Sequence, residues 1–455
     1  MLFVLGGELL QRDTSHEASY SASDPRIRGE LQSQALVKAF LLSGLFFLLL
    51  PGTFLGVWNL VGISGKRALA ALSPAWLQAH GQAQIYGWIG SFILGIGFYS
   101  LTKMQKTRAF PERAGWAAWS LWTVGVTLRW VGGVTAWEWR WLLPASGVLQ
   151  LAGFLFFFNA VSRHRPAERR SSMEPWMVLV IASTVVFLLA LVFNAGALIQ
   201  LALTGASPAL PHVFDQQLVT LAVWGILVRT IWGFNARWLP IFAGFRKPDP
   251  KWLFTAYGVS LAGVLLVFVN EWKISSAAFV VSAVLAILAL HVWSPAAQPA
   301  KVQGIHPSFP GFLRIAYGWL TISAFMACAA AAEDRSGGLW GASRHALTVG
   351  FAATMVFAIG QRVLPAFSGM RVLWSPFLMF WSLALLNLGC LLRVSMEPLA
   401  YELNRAAVWR LLPVSAVIEL VAVTIFVANL MGTLLTRPAH LRHSASSTPK
   451  IGGVV

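Results

Sequence analysis

Three histidines carry the chemistry that this sequence offers most plainly. His80 stands in "QAHGQAQIYGW", His212 in "PHVFDQQL" and His345 in "SRHALTVGF", at intervals of 132 and 133 residues. Each opens a long apolar run. A neutral imidazole is the commonest side-chain ligand for metal ions and haem iron. A lone histidine at a helix start is ordinarily a cap or an interfacial group. Three at the same end of three equivalent helices point to a shared site. Two imidazoles suffice for a bis-histidine haem, and three for a copper or zinc centre. Three cannot supply both a low-spin haem and a complete haem–copper oxygen-reducing centre. That count argues against a complete oxygen-reducing enzyme. The register is imperfect: His212 precedes Arg237 by 25 residues, whereas His345 precedes Arg362 by 17. His212 therefore stands about two turns further out, or its helix is longer.

The other six histidines fall elsewhere. His16, His164, His306, His440 and His443 lie in tails or loops, and His291 ends a span on the far side. Arg129 and Arg344 are placed to pair with carboxylates such as haem propionates, which suit a guanidinium; interfacial snorkelling explains them equally well. Gln82, Gln84, Asp215, Gln216 and Gln217 sit about one turn into their helices and can support or replace ligands. Glu333 and Asp334 face the same end, where Asp334 and Arg335 form a pair or Asp334 serves a proton. Arg229 and Glu419 lie within spans and require buried partners. Cys328 and Cys390 read as small core residues, and the chain has no C-x-x-C-H for covalent haem.

The elements that position these residues are membrane helices. The chain has 455 residues, of which 57% are hydrophobic and 11% charged. Its mean hydropathy is +0.67. Apolar runs of bilayer length recur throughout, and backbone in lipid must satisfy itself as helix or closed barrel. No alternating ten-residue pattern favours a barrel. The runs predict an all-α, polytopic protein of about 12 transmembrane helices. They lie at roughly 38–63, 81–102, 115–133, 141–161, 176–204, 212–236, 252–270, 274–294, 312–333, 343–361, 373–392 and 411–435. Polar, flexible tails are expected over 1–35 and 436–455. The opening "MLFVLGGELL" is too short to span and lacks the basic start of a signal peptide. The net charge of +17 does not signal nucleic acid. Most Lys and Arg fall in alternate loops, "TKMQKTR" and "SRHRPAERR" above all. By the positive-inside rule both termini are cytoplasmic.

A repeated phrase sets the period. "RWLPIFAGFR" (237–246) and "RVLPAFSGMR" (362–371) both read R-x-L-P-x-F-x-G-x-R. They close spans 6 and 10, four helices apart, and "GFYSLTKMQKTR" closes span 2 with a weaker cousin. The pattern predicts three pseudo-repeated four-helix units at about 36–161, 176–294 and 311–435. In the phrase, Pro is expected to stop the helix and Gly to permit the turn after it. The arginines are expected to anchor at headgroups. The phrase is thus architecture, and the chemistry lies at the opposite ends of the same helices.

These segments resemble one family. "RHALTVGFAATMVFAIGQRVLPAFSGMR" is similar to the H-A-L-T-V-G…R…G-R segment of the NnrS family. "RWLPIFAGF" resembles its R-V-I-P-x-F-T segment, and "HGQAQIYGWIGSFILG" its H-A-H-E-M-L-F-G segment. The resemblance implies a bacterial inner-membrane protein that binds haem and copper and acts in nitric oxide metabolism or tolerance. More distantly it implies a layout like that of haem–copper oxidase subunit I, whose histidines of spans 2 and 10 hold a haem. By that likeness His80 and His345 form the axial pair of a b-type haem, and His212 is a candidate for copper. The sequence departs from the family pattern at Gln82 and Ala83, which replace the second His and the Glu of H-x-H-E. "AFSGMR" lacks the histidine of G-H-T-G-R. These departures bear on copper more than on haem.

The expected partners are therefore the lipid bilayer, haem, and nitric oxide or a small redox partner. Two other readings stay open at this point. Twelve helices with internal repeats also suit a transporter, although the histidines lie at a rim and not at the midplane. A haem–copper oxidase-like redox protein is the second.

Overall fold

The computed structural model describes residues 25–68, 72–104, 110–163, 173–334, 336–367 and 373–435. No strand occurs among them. The helices are α1 (25–66), α2 (74–104), α3 (Glu112–Thr135), α4 (Trp139–Arg163), α5 (Pro175–Thr204), α6 (His212–Ala243), α7 (Pro250–Phe268), α8 (Trp272–Ala289), α9 (Phe309–Glu333), α10 (338–367), α11 (Pro376–Leu403) and α12 (Ala406–Leu435). Ten of these are long and apolar enough to cross a membrane. The hydropathy pattern predicts crossings at α2 and α3 as well; these two are not among the ten. Both carry more polar residues: α2 opens with "PAWLQAHGQAQ", and α3 holds Glu112, Arg113 and Arg129. Residues 1–24 and 436–455 lie outside the described residues, as do His164, Arg335 and the "SGMR" of the second phrase; His16, His440 and His443 fall in these ends.

Helices adjacent in sequence pack on one another, and α12 returns to pack against α1. Small residues set the close approaches, as they do where lipid removes any hydrophobic drive between helices. A Cβ at Gly153 of α4 would lie 3.0 Å from the Ala118 carbonyl oxygen of α3, and one at Gly147 would lie 2.9 Å from Ala195 Cα of α5. Large apolar side chains such as Leu189, Leu203 and Leu265 project outward. Two helices are enclosed by the rest. In α6 and α10, 78% and 72% of the apolar window is buried, against 28–56% for the other eight.

The enclosed helices share a further trait. Wide π-helical turns interrupt α1 at Leu48–Phe54, α2 at Ala83–Gly90, α6 at Leu221–Leu227 and Leu239–Ala243, and α10 at Ala346–Ala353. Such turns are rare and recur at functional positions. In α2, α6 and α10 one of them follows the histidine.

Three expectations are corrected. First, α1 begins at Pro25, inside the segment expected to be a tail; Gln32 Nε2 donates to Glu112 Oε2 of α3 at 2.6 Å. Second, α11 runs to Leu403 instead of ending near 392, because Arg393 and Glu397 pair along the helix and neutralise each other. Third, proline does not stop either phrase helix. Pro240 lies inside the final wide turn of α6, and Pro365 lies inside α10. At Pro240 the wide turn rearranges the carbonyl that proline leaves without a donor. The glycine acts as expected where it is described: Gly244 has φ +72° and ends α6.

Candidate functional site

His80 lies two turns into α2, where α1 passes it with a glycine groove. Its Nδ1 donates to the Gly52 carbonyl at 2.8 Å. Gly52 belongs to the wide turn of α1 that also holds Pro51. Gly56, one turn on, leaves the ring its space: a Cβ there would lie 2.6 Å from His80 Cε1. Gln84 Nε2 donates to Thr53 Oγ1 at 3.1 Å, which fixes α2 to the same turn.

His345 lies two turns into α10. Its Nδ1 donates to the Gly341 carbonyl at 3.0 Å. Glu397 of α11 brings Oε2 to 3.7 Å from the same nitrogen, and its Oε1 accepts from Arg393 Nη2 at 3.0 Å. A side chain at Gly341 would run into Glu397 Oε1, so that glycine is what admits the carboxylate. The Cys390 thiol points at the His345 carbonyl, 3.7 Å away.

The two imidazoles are close enough to act on each other electrostatically, and Arg393 acts on both. In each ring the carbonyl acceptor places the proton on Nδ1 and leaves Nε2 as a bare lone pair. Around them lie polar atoms without hydrogen-bond partners: Arg393 Nε and Nη1, Glu397 Oε2, Gln82 Oε1 and Arg129 Nη1. Arg129, Glu397 and Arg393 are only 4%, 5% and 8% exposed. A buried donor left unmet costs about 1–3 kcal/mol, more when charged. These atoms are donors and acceptors that the described residues leave unmet.

His212 is placed differently. It is the first residue of α6 and is exposed. It acts on half-buried Asp215, which also feels Arg344 and Arg129. Among the described residues no group of three or more His, Cys, Asp or Glu is arranged to hold a metal ion. The structure therefore brings His80 and His345 together and leaves His212 apart from them. Arg129 and Arg344 both belong to this end, sharing Asp215. Gln78 ties the starts of α2 and α6: its Nε2 donates to the Leu210 carbonyl, and its Oε1 accepts from Leu210 N, each at 2.9 Å.

Other polar residues resolve into architecture. Asp334 accepts from the backbone N–H groups of Ser336, Gly337 and Trp340, and so builds the turn between α9 and α10. Gln217 Nε2 donates to the Val267 carbonyl at 3.2 Å. Arg229 has the buried partner its position requires, the face of Tyr257 at 3.5 Å. Glu419 of α12 lies within the electrostatic reach of Arg393. At the far end Arg237 pairs with Glu174 at 3.1 Å, and Arg362 stacks on Phe242 of the other phrase copy at 4.8 Å.

The sequence pattern misses Arg393 and Glu397, which close the site on the α11 side. One signal was available: "RVSME" sets opposite charges at i and i+4 in an apolar context, the spacing at which they meet on a helix.

A family model described as NnrS protein matches residues 37–438. The chain belongs to the NnrS family. No curated protein matches it. The NnrS match takes in both imidazoles, the glycines that seat them and the Arg393–Glu397 pair.

Proposed function

We propose that this NnrS-family chain is a haem protein of the bacterial inner membrane that acts in nitric oxide metabolism or tolerance. The observation that carries the reading is the pair His80 and His345. Each has Nδ1 satisfied by a backbone carbonyl, which leaves Nε2 as the lone-pair nitrogen of a neutral ring. An acceptor of this kind on the far nitrogen fixes the tautomer and orientation of an imidazole ligand. The donor set suits a b-type haem in a second way. Its two propionates need cations, and Arg129 Nη1 and Arg393 Nε and Nη1 are buried N–H groups without partners.

His80 and His345 would hold the iron from α2 and α10. Arg393 and Arg129 would take the propionates, with Arg344 beside Asp215 supporting them. Glu397 orients His345 and balances Arg393. When bound, haem would supply a redox-active iron able to take nitric oxide as a ligand. The described residues do not fit a copper centre, since no three-ligand group forms among them, and no step is drawn through copper.

In this reading the wide turns that follow the histidines of α2, α6 and α10 support three four-helix units. The basic loops support cytoplasmic termini.

Two measurements test the function. The protein purified from haem-replete cells shows a Soret band; a colourless preparation refutes haem binding. Cells lacking the protein grow more slowly than the parent under a nitric oxide donor, and equal growth refutes the nitric oxide role.

A further inference from the structure

His80 and His345 take their acceptors from different places. His345 donates to Gly341, four residues back on its own helix. His80 of α2 donates to Gly52 of α1. The seat of His80 therefore depends on how one turn of α1 is held. That turn is the wide one at Leu48–Phe54.

Two residues leave this turn in need of a hold. Pro51 has no N–H to give to the Phe47 carbonyl four residues back. Gly52 is the residue type whose backbone rotates most freely. Its carbonyl keeps one helical donor, the Leu55 N–H, and a carbonyl oxygen has a second lone pair to meet His80. The direction of that carbonyl follows the peptide planes beside it, because only two soft dihedrals separate one plane from the next. Side chains hold these planes. Trp130 Nε1 of α3 donates to the Pro51 carbonyl at 3.2 Å, in the plane just before Gly52. Thr53, just after it, donates from Oγ1 to the Leu48 carbonyl at 2.8 Å. The same hydroxyl accepts from Gln84 Nε2 of α2 at 3.1 Å, one turn beyond His80. The fit is close: a Cβ at Gly52 would lie 2.7 Å from Gln84 Nε2. Pro51, Gly52 and Thr53 are all buried.

We propose that Trp130 and Thr53 are positioning residues for His80, holding the wide turn of α1 so that the Gly52 carbonyl meets Nδ1 and keeps the proton there. Binding of iron by the other nitrogen rests on the proposed function; the hold on the ring does not. His345 needs no such clamp, because its carbonyl belongs to α10 itself.

Nitrogen-15 NMR of the full chain, labelled at histidine and purified without haem in lipid nanodiscs, reads which ring nitrogen carries the proton. At about pH 8 an ordinary imidazole is neutral. His80→Gln and His345→Gln assign the two rings. The unaltered chain is expected to carry both protons on Nδ1. In Trp130→Phe the Nδ1–H to Nε2–H ratio of His80 is expected to fall by roughly two- to tenfold, the size of one net hydrogen bond, while that of His345 stays. Thr53→Val, nearly isosteric, moves His80 the same way, and Thr53→Ser restores it. A His80 ring unmoved by one folded variant strikes that residue from the hold. Unmoved by both, or matched by an equal change at His345, it overturns the proposal. If either variant fails to fold, the other decides. A chain that shows the His80 change and never takes up haem keeps the hold and refutes the haem reading, so the two failures are distinguishable.

Discussion

His80 and His345 differ from His212 in everything except their place in the sequence period. All three lie in the first part of α2, α6 or α10, and all three precede a wide turn. The first two lie two turns inside their helices, and each donates to a glycine carbonyl. His212 is the exposed first residue of α6. The difference lies in the neighbours. His80 has the glycine groove of α1, and His345 has Gly341 with the Arg393–Glu397 pair of α11. No comparable seat is formed around His212. Sequence spacing picks out three helices that carry a histidine, whereas the packing of the next helix decides which of those histidines is seated.

That contrast can be broken in four ways, from the largest expected effect downward. Replacing a seated imidazole would remove one of the two proposed iron ligands. His345→Ala and His80→Ala are each expected to lower haem content by roughly a hundredfold, the upper end of the roughly 10–100-fold range for disturbing a ligand's surroundings. Haem per polypeptide measures it.

Next comes the charge pair. Glu397→Leu leaves Arg393 buried without its carboxylate, and breaking a buried pair costs about 3–5 kcal/mol. Thermal unfolding in detergent is expected to show a lowered midpoint. The double variant Arg393→Leu with Glu397→Leu recovers most of that loss, because no lone charge remains. A double variant as unstable as Glu397→Leu contradicts the pairing.

The glycine groove should matter less than the ligand it seats. A methyl at Gly56 would lie 2.6 Å from His80 Cε1. Gly56→Ala displaces the ring without removing it, and haem affinity is expected to fall by roughly tenfold. A titration of haem into the apoprotein reads this, and unchanged affinity places the ring elsewhere.

The smallest effect belongs to the third histidine. His212→Ala at an exposed helix start is expected to change stability by no more than about 0.5 kcal/mol. Its absorption spectrum remains that of the unaltered protein. A spectrum altered as much as in His80→Ala would put His212 inside the site.

Much of this was legible in the sequence, for physical reasons. Long apolar runs cannot be anything but helix in lipid, so the helical layout follows from composition. The Arg-x-Leu-Pro phrase aligned the sequences of α6 and α10, and that alignment led to the choice of histidines. What escaped depends on contacts between distant helices. Gly52 and Gly56 are small residues in an apolar run, and nothing local says that an imidazole of α2 rests on them. Arg393 and Glu397 read as the start of a loop because each is costly in a membrane alone; only as a pair do they let α11 continue. The prolines misled for a related reason. Pro240 and Pro365 signal helix ends, yet both lie inside helices, Pro240 within a wide turn and Pro365 within a regular helix. Arg229 was the converse case: its burial demanded a partner, and Tyr257 supplies one.

The central claim is that two of the three equivalent histidines, and not the third, hold a haem. Haem per polypeptide, measured in parallel on purified His80→Ala, His345→Ala and His212→Ala, tests it most directly. The account predicts near-complete loss in the first two and a full complement in the third. Full haem content in either of the first two, or loss in His212→Ala alone, would contradict it.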